Sequence, residues 1–295
     1  MIIETHHLSK NYGPVVAVRD LCLRVPPGKI SAFLGPNGHG KSTTIKMLLG
    51  MARPTGGGGQ VLGFDIADPR ASLEIRRRTA FISEDKHLYG YMTVRQVIAF
   101  TRALFPNWQD DRESELLDAF DLPQNRKVKH LSKGMRTKLA LILALARGAE
   151  LLILDEPSEG LDPVVAESML QSVVRAAADG ASVFFSSHQL SEAERIADHV
   201  FILKRGHIVV EGPLDELRGR YRRINAVFVG HPPLDDLPVR SLAKVQTEGH
   251  VLSVLTKDNS EAVATQFRGL GAVSVEVCPV NLRELFLETV QDGAT

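Results

Sequence analysis

GPNGHGKST, Gly35–Thr43, is the stretch on which the reading of the fold turns. It matches G-x-x-x-x-G-K-[ST], follows the apolar run KISAFL (29–34) and opens KSTTIKMLLG, a helical pattern. Glycines let successive backbone N–H groups turn inward around an anion with no Cβ in the way, and a helix start adds about half a positive charge. Lys41 supplies a full charge for the β- and γ-phosphates. Ser42 is placed to ligate Mg²⁺ and Thr43 to bond a phosphate oxygen. His39 occupies a variable position of the loop and reads as a solvated or interface side chain rather than a catalytic one.

Working outward, short strand-like runs alternate with helical periods from Met1 to about Gly219, the pattern of an α/β domain with a largely parallel sheet. KISAFL, TAFI (79–82), LLILD (151–155) and SVFFSS (182–187) are its expected core strands. Between TAFI and LLILD the pattern is helical only, roughly Thr93 to Arg147, broken at PNW and LPQN, which reads as an inserted helical subdomain. PTGGGG, 54–59, is expected to be a simple flexible loop. After Arg223 the texture changes to NAVFVG, HVLSVLT, a helix near 261–270, AVSVEV and NLRELFLETV, an α+β tail with a structural or dimer-supporting role.

Composition excludes several classes. Lys+Arg and Asp+Glu number 35 each, for a net charge of +0, so the basic footprint of a duplex-binding protein is missing and nucleic acid is not an expected partner. The two cysteines, Cys22 and Cys278, have neither metal nor redox spacing and read as buried, inert thiols of a reducing compartment. The first residues lack a basic and then apolar leader. The longest apolar stretch, LALILALA (139–146), falls far short of the roughly 18 residues that span a bilayer, so any membrane role is expected to run through a partner.

Two further strand ends carry chemistry. LLILDEP, 151–157, is an apolar strand ending in carboxylates where a buried sheet meets a ligand crevice. Asp155 is placed to hold Mg²⁺ through water, and Glu156 to act as general base for a water attacking the γ-phosphate, a role worth roughly 10² to 10⁴ in rate. FFSSHQL, 184–190, repeats the arrangement with His188, within reach of the same phosphate.

GPNGHGKST, LSKGM (131–135), LLILDEP, EGLDP and His188, in this order, resemble the nucleotide-binding subunit of an ATP-binding cassette (ABC) transporter. The resemblance implies an α/β, P-loop NTPase cassette over 1–220, with a parallel-sheet core, an antiparallel β subdomain and a helical subdomain at about 90–147; residues 221–295 form a small α+β extension. It also implies that Tyr12 stacks on adenine. ATP is held by Gly35, Pro36, Asn37, Gly38, His39, Gly40, Lys41, Ser42 and Thr43. Mg²⁺ is held by Ser42, Glu84 and Asp155, and Glu156, His188, Lys41 and Glu84 are the catalytic set. Asp162 belongs to the D-loop, while Ser132 and Gly134 contact the γ-phosphate held by a second cassette in a head-to-tail dimer, homomeric or with a paralogue.

The chain departs from the family's motifs at Glu84, where glutamine is usual, at Lys133 and Met135 in the signature, and at Ser158 and Glu159 in EPSEGLD. Lys133 either strengthens the contact in trans or faces solvent. The tail resembles the extension of bacterial cassettes serving exporter-type permeases encoded as separate chains. The implied function is an ATPase on the inner face of the cell membrane, cytoplasmic and held there by its permease. A cassette working on a non-membrane partner is the rival, and such proteins typically carry two cassettes or a long coiled coil that this chain lacks. IRRRT (75–79) reads as a solvated face, and Phe100, Phe105 and Trp108 either as part of a groove for the permease or as a satellite core.

Overall fold

A computed structural model describes residues 1–233 and 242–290, so two pieces of the expected 221–295 extension lie outside the described residues. The chain divides into two units, Met1–Ile208 and Val209–Thr295, and the division falls inside the strand His207–Pro213.

The four apolar runs form strands Ile30–Leu34, Thr79–Ile82, Leu151–Asp155 and Ser182–Ser187, the first, third and fourth buried at every position. Continuous burial rather than alternation is what a sheet covered on both faces demands. All pair in parallel, with Ile30–Leu34 between Ser182–Ser187 and His199–Lys204, in a six-stranded sheet. The glycine loop and the acidic loop therefore emerge at the same edge of the sheet, from strands separated only by Ser182–Ser187.

A second, antiparallel sheet is built on the strand Ile3–Tyr12, flanked by Val15–Leu21 and Gly56–Val61. Here the expectation of a loop at 54–59 is corrected: Gly56–Gly59 are strand residues, with Thr5 opposite Gly59 and His6 opposite Gly58. The reason is close approach. A Cβ at Gly59 would lie 2.6 Å from Glu4 O, and Gly57 takes φ +66 against the His7 carbonyl, itself at φ +51. One apolar core runs under both sheets, through Ile3, Leu21, Val61, Phe33, Ile153 and Phe201.

The helical segment resolves into Val94–Arg102, Asp110–Phe120 and Lys133–Leu145, with the breaks at PNW and LPQN as expected. Thr93 and Gln96 form a capping box at the first, and Ser132 caps the third by accepting Met135 N–H at 3.2 Å. Phe105 stacks under the Arg147 guanidinium at 3.6 Å, Trp108 donates to Glu113 Oε2, and Phe100 stays exposed at 42% with an edge contact to Tyr89.

In IRRRT, Arg77 and Arg78 pair with Glu74 and Glu150 at the surface. Arg76 turns inward, against the solvated reading, to donate to Leu49 O and Ser72 Oγ. The cysteine expectation is also corrected. Cys22 is exposed because strict alternation gives the inside to Leu21 and Leu23, and Cys278 is half-buried.

The second unit holds the antiparallel sheet of strands Leu242–Glu248, Val251–Lys257, Tyr221–Val227 and Ser274–Pro279, in that order. Helix Ser260–Gly269 covers one face through Val263, Ala264 and Phe267 on Ile224, Leu252 and Val254.

Candidate functional site

The cleft begins where the strand Ile30–Leu34 passes into the helix Lys41–Leu48. Gly40 caps that helix at φ +104 with no side-chain hydrogen bond, and a Cβ there would run into the Ala17 carbonyl. Gly38 is at φ +80 facing open space. The first-turn donors of the helix have no carbonyls within it to bond, which is the electrostatic provision of an anion site. Lys41 is buried and its Nζ donates to Gly35 O at 2.7 Å and Pro36 O at 3.4 Å.

Asp155 ends the strand Leu151–Asp155, which lies across Ser182–Ser187 from Ile30–Leu34, and Glu156 follows it; both are 4% exposed. Ser186 organises them: its Oγ donates to Asp155 Oδ1 at 2.6 Å and accepts Glu156 N–H at 3.1 Å, while its carbonyl also accepts that N–H at 3.2 Å. Glu156 sits at φ +47, a conformation costing a residue with a Cβ about 1–3 kcal/mol. This bend turns its carboxylate back into the cleft. Oε2 is 2.8 Å from His188 Nδ1 and accepts His188 N–H at 3.2 Å. Oε1 lies 3.1 Å from Lys41 Nζ, yet that approach lacks hydrogen-bonding geometry, so Oε1 is buried with an ionic neighbour and no hydrogen bond.

A cleft of about 330 Å³ is lined by Asn37, Gly38, Gly40, Lys41, Ser42, Thr43, Glu84 and Glu156, together with Ala17 and Glu159, which sequence reasoning did not place there. The Glu84 carboxyl is held above the ordinary carboxylate range, first by partial desolvation, then by the hydrogen bond to Glu159 and its charge, with Asp155 and Asp85 adding to it. Burial pushes the nearby Lys86 ammonium down, and the charge of Lys133 adds to that. Crowded carboxylates beside a serine hydroxyl are an all-oxygen donor set whose mutual repulsion a hard divalent cation would relieve. Ser42 and Glu84 line this cleft, and Asp155 is near enough for its charge to act on Glu84.

The other expected residues stand apart from the cleft lining. Tyr12, half exposed, ends its strand with Lys10 Nζ 4.9 Å from its ring centroid. His39 Nδ1 accepts Arg205 N–H at 3.3 Å, and Gly35 is packed so closely that a Cβ would meet Leu203 O at 2.7 Å. Pro36 offers its carbonyl to Lys41 Nζ and to His39 N–H. Ser132 and Asp162, both exposed, and the half-buried Gly134 form a separate group. Asp162 caps the helix Pro163–Ala178 through Val164 and Val165 N–H, and a Cβ on Gly134 would touch Asp162 Oδ2 at 3.9 Å.

Sequence reasoning also missed Glu192, buried behind the histidine loop. It accepts from Ser187 Oγ at 3.3 Å, and burial holds its carboxyl above the usual range. The signal was available in FFSS, two hydroxyls side by side at the end of an otherwise apolar strand.

The ABC transporter family model matches residues 18–159. An uncharacterized ABC transporter ATP-binding protein of Nostoc is 34% identical, with 95% of this chain and 85% of that protein covered. The Nod factor export ATP-binding protein I of Rhizobium etli is 30% identical, with 97% and 92% covered. A solved ATP-binding subunit of an ABC transporter superposes with TM-score 0.68 at 31% identity, covering 74% of this chain and 92% of that one.

Proposed function

Because the chain belongs to the ABC transporter family as an ATP-binding, ATP-hydrolysing cassette, we propose that it energises export through a separately encoded membrane permease. The export reading is supported by the relative named for Nod factor export. Among the described residues no helix is long and apolar enough to cross a membrane, so a permease chain would supply the membrane passage and hold the cassette at the inner face.

The observation that carries the catalytic reading is the buried Glu156 Oε1, beside Lys41 but without a hydrogen bond. With nucleotide present, Lys41 leaves the loop carbonyls for the β- and γ-phosphates, and Oε1 becomes the acceptor for a water proton. The water oxygen attacks the γ-phosphorus, its proton passes to Glu156, and ADP departs with the bridging oxygen. His188 orients Glu156 through Oε2 and reaches the γ-phosphate from the adjacent strand end. Mg²⁺, when bound, neutralises charge on the phosphate oxygens; Ser42 and Asp155 would hold it, with Glu84 at its edge. Tyr12 is assigned to the adenine. The loop from Gly35 to Thr43 is assigned to the phosphates.

Ser132, Gly134 and Asp162 are assigned to the nucleotide of a second cassette, since they gather at helix starts that do not line their own chain's cleft. A homodimer related by a two-fold axis then makes two such sites. The test is phosphate release by the purified chain with MgATP, and co-purification of a polytopic membrane protein with it. ATP turnover with a captured permease is expected; a chain that neither binds ATP nor captures one overturns the reading. Ser132→Arg separates the two sites: hydrolysis is lost while the ATP affinity of the isolated monomer stays within about twofold of wild type.

A further inference from the structure

Three departures from the usual cassette motifs, Glu84, Lys133 and Glu159, come from segments far apart in the chain, and the fold brings them to one place. Glu84 and Glu159 line the nucleotide cleft together with Glu156. Lys133 is the first residue of the helix capped by Ser132, and its side chain lies across Gly160, the residue after Glu159. The exposed side chain rests on the turn. A Cβ on Gly160 would come within 3.1 Å of Lys133 Cδ, within 2.9 Å of Cε, and closer still to Nζ. Gly160 is at φ +67, so the turn is shaped for a residue without a side chain under this lysine. The turn is braced internally by Glu159 N–H to Glu156 O at 3.2 Å and Leu161 N–H to Ser158 O at 3.0 Å. It thus connects the base Glu156 to the helix cap Asp162 as one short piece. On its other side Lys133 is near enough for its charge to be felt at Lys86, whose Nζ donates to the Glu84 carbonyl at 3.2 Å.

We propose that Lys133 is a positioning residue acting within its own chain: lying over Gly160, it clamps the turn 156–162 to the signature helix and holds Glu159 at the cleft beside Glu84 and Glu156. The lysine then acts through its packing within its own chain rather than on a partner's phosphate. A displacement of the signature helix reaches the base of the same chain through this contact. The proposal rests on the ATPase reading above for its catalytic consequence and on packing alone for the clamp.

The experiment is a double-mutant cycle on the full chain with Lys133→Ala and Gly160→Ala, read by both ATP turnover and unfolding midpoint, with Lys133→Arg as the conservative variant. Lys133→Ala is expected to lower kcat about 5- to 30-fold with KM for ATP unchanged. Lys133→Arg should restore most of that. Gly160→Ala is strained at φ +67 in either background; a clamp adds a further loss in the wild-type background, where the lysine must leave its place over the turn, and that extra loss is absent in the Lys133→Ala background. Additive effects on both readouts overturn the clamp. So does an increase in KM of about tenfold or more on Lys133→Ala with loss of the ATP-trapped Glu156→Gln dimer, the signature of a phosphate contact in trans. Wild-type chain that turns over no ATP would sink the functional reading, and the unfolding cycle would still decide the clamp.

Discussion

Glu156→Gln is the perturbation that isolates the proposed base. The carboxylate faces donors at both ends, His188 N–H and ring at Oε2 and Lys41 Nζ at Oε1. An amide keeps the shape but has one oxygen, so its NH₂ must oppose either Lys41 or the His188 N–H. Losing a charge-assisted contact in so buried a setting costs the resting protein about 1.5–3 kcal/mol. In the nucleotide-bound state Lys41 turns to phosphate and that cost is relieved, so ATP affinity should hold or rise. The amide cannot accept the water proton, and kcat should fall by about 10² to 10⁴, equal to roughly 2.7–5.5 kcal/mol of barrier. Phosphate release at saturating MgATP gives the rate, equilibrium binding of a fluorescent ATP analogue gives the affinity, and size-exclusion chromatography shows an ATP-dependent dimer that no longer dissociates. Turnover within about threefold of wild type, with affinity intact, would refute Glu156 as the base.

Ser186→Ala removes the 2.6 Å bond to Asp155 and is expected to lower unfolding free energy in urea by about 1.5–3 kcal/mol, with a parallel loss of Mg²⁺-dependent turnover; an unchanged midpoint counts against its bracing role. Gly59→Ala, which drives a Cβ against Glu4 O, should cost about 1–3 kcal/mol by thermal melting, whereas a loop glycine would tolerate it. In the second unit, Arg220 grips Asp258 at 3.0 and 3.1 Å and holds its carboxyl below the usual range. A folded-state pKa below the unfolded one gives stability that is present above about pH 4 and lost as the pH falls further. Arg220→Ala should flatten that acid limb of the stability profile, and a profile unchanged from wild type would deny the linkage.

The loop from Gly35, Lys41 beside it, and the Asp155–Glu156 pair were legible because each is a local signal: a strand end, a helix start and residue types whose chemistry has few other uses. Ser132 was legible as a cap for the same reason. Ser186, Glu159 and the strand at Gly56–Gly59 were not. The importance of Ser186 comes from a neighbour 31 positions away. Gly56–Gly59 read as a loop because composition carries no record of the strand Ile3–Tyr12 that approaches it. Cys22 was misread by residue type alone, although the Leu21–Cys22–Leu23 alternation was already in view.

By itself the sequence determined the class of fold, the phosphate loop and the carboxylates at the strand end, since backbone sterics, periodicity and helix-terminal charge act over a few residues. Only the tertiary structure decided what those groups meet. It bends Glu156 into a left-handed conformation, leaves Oε1 buried without a hydrogen bond, sets Ser132 and Gly134 apart from their own chain's cleft, and lays Lys133 over Gly160. Each of these depends on contacts between segments distant in the chain, and such contacts are made by packing the two sheets and the helical segment against one another, which no short window of residues can encode.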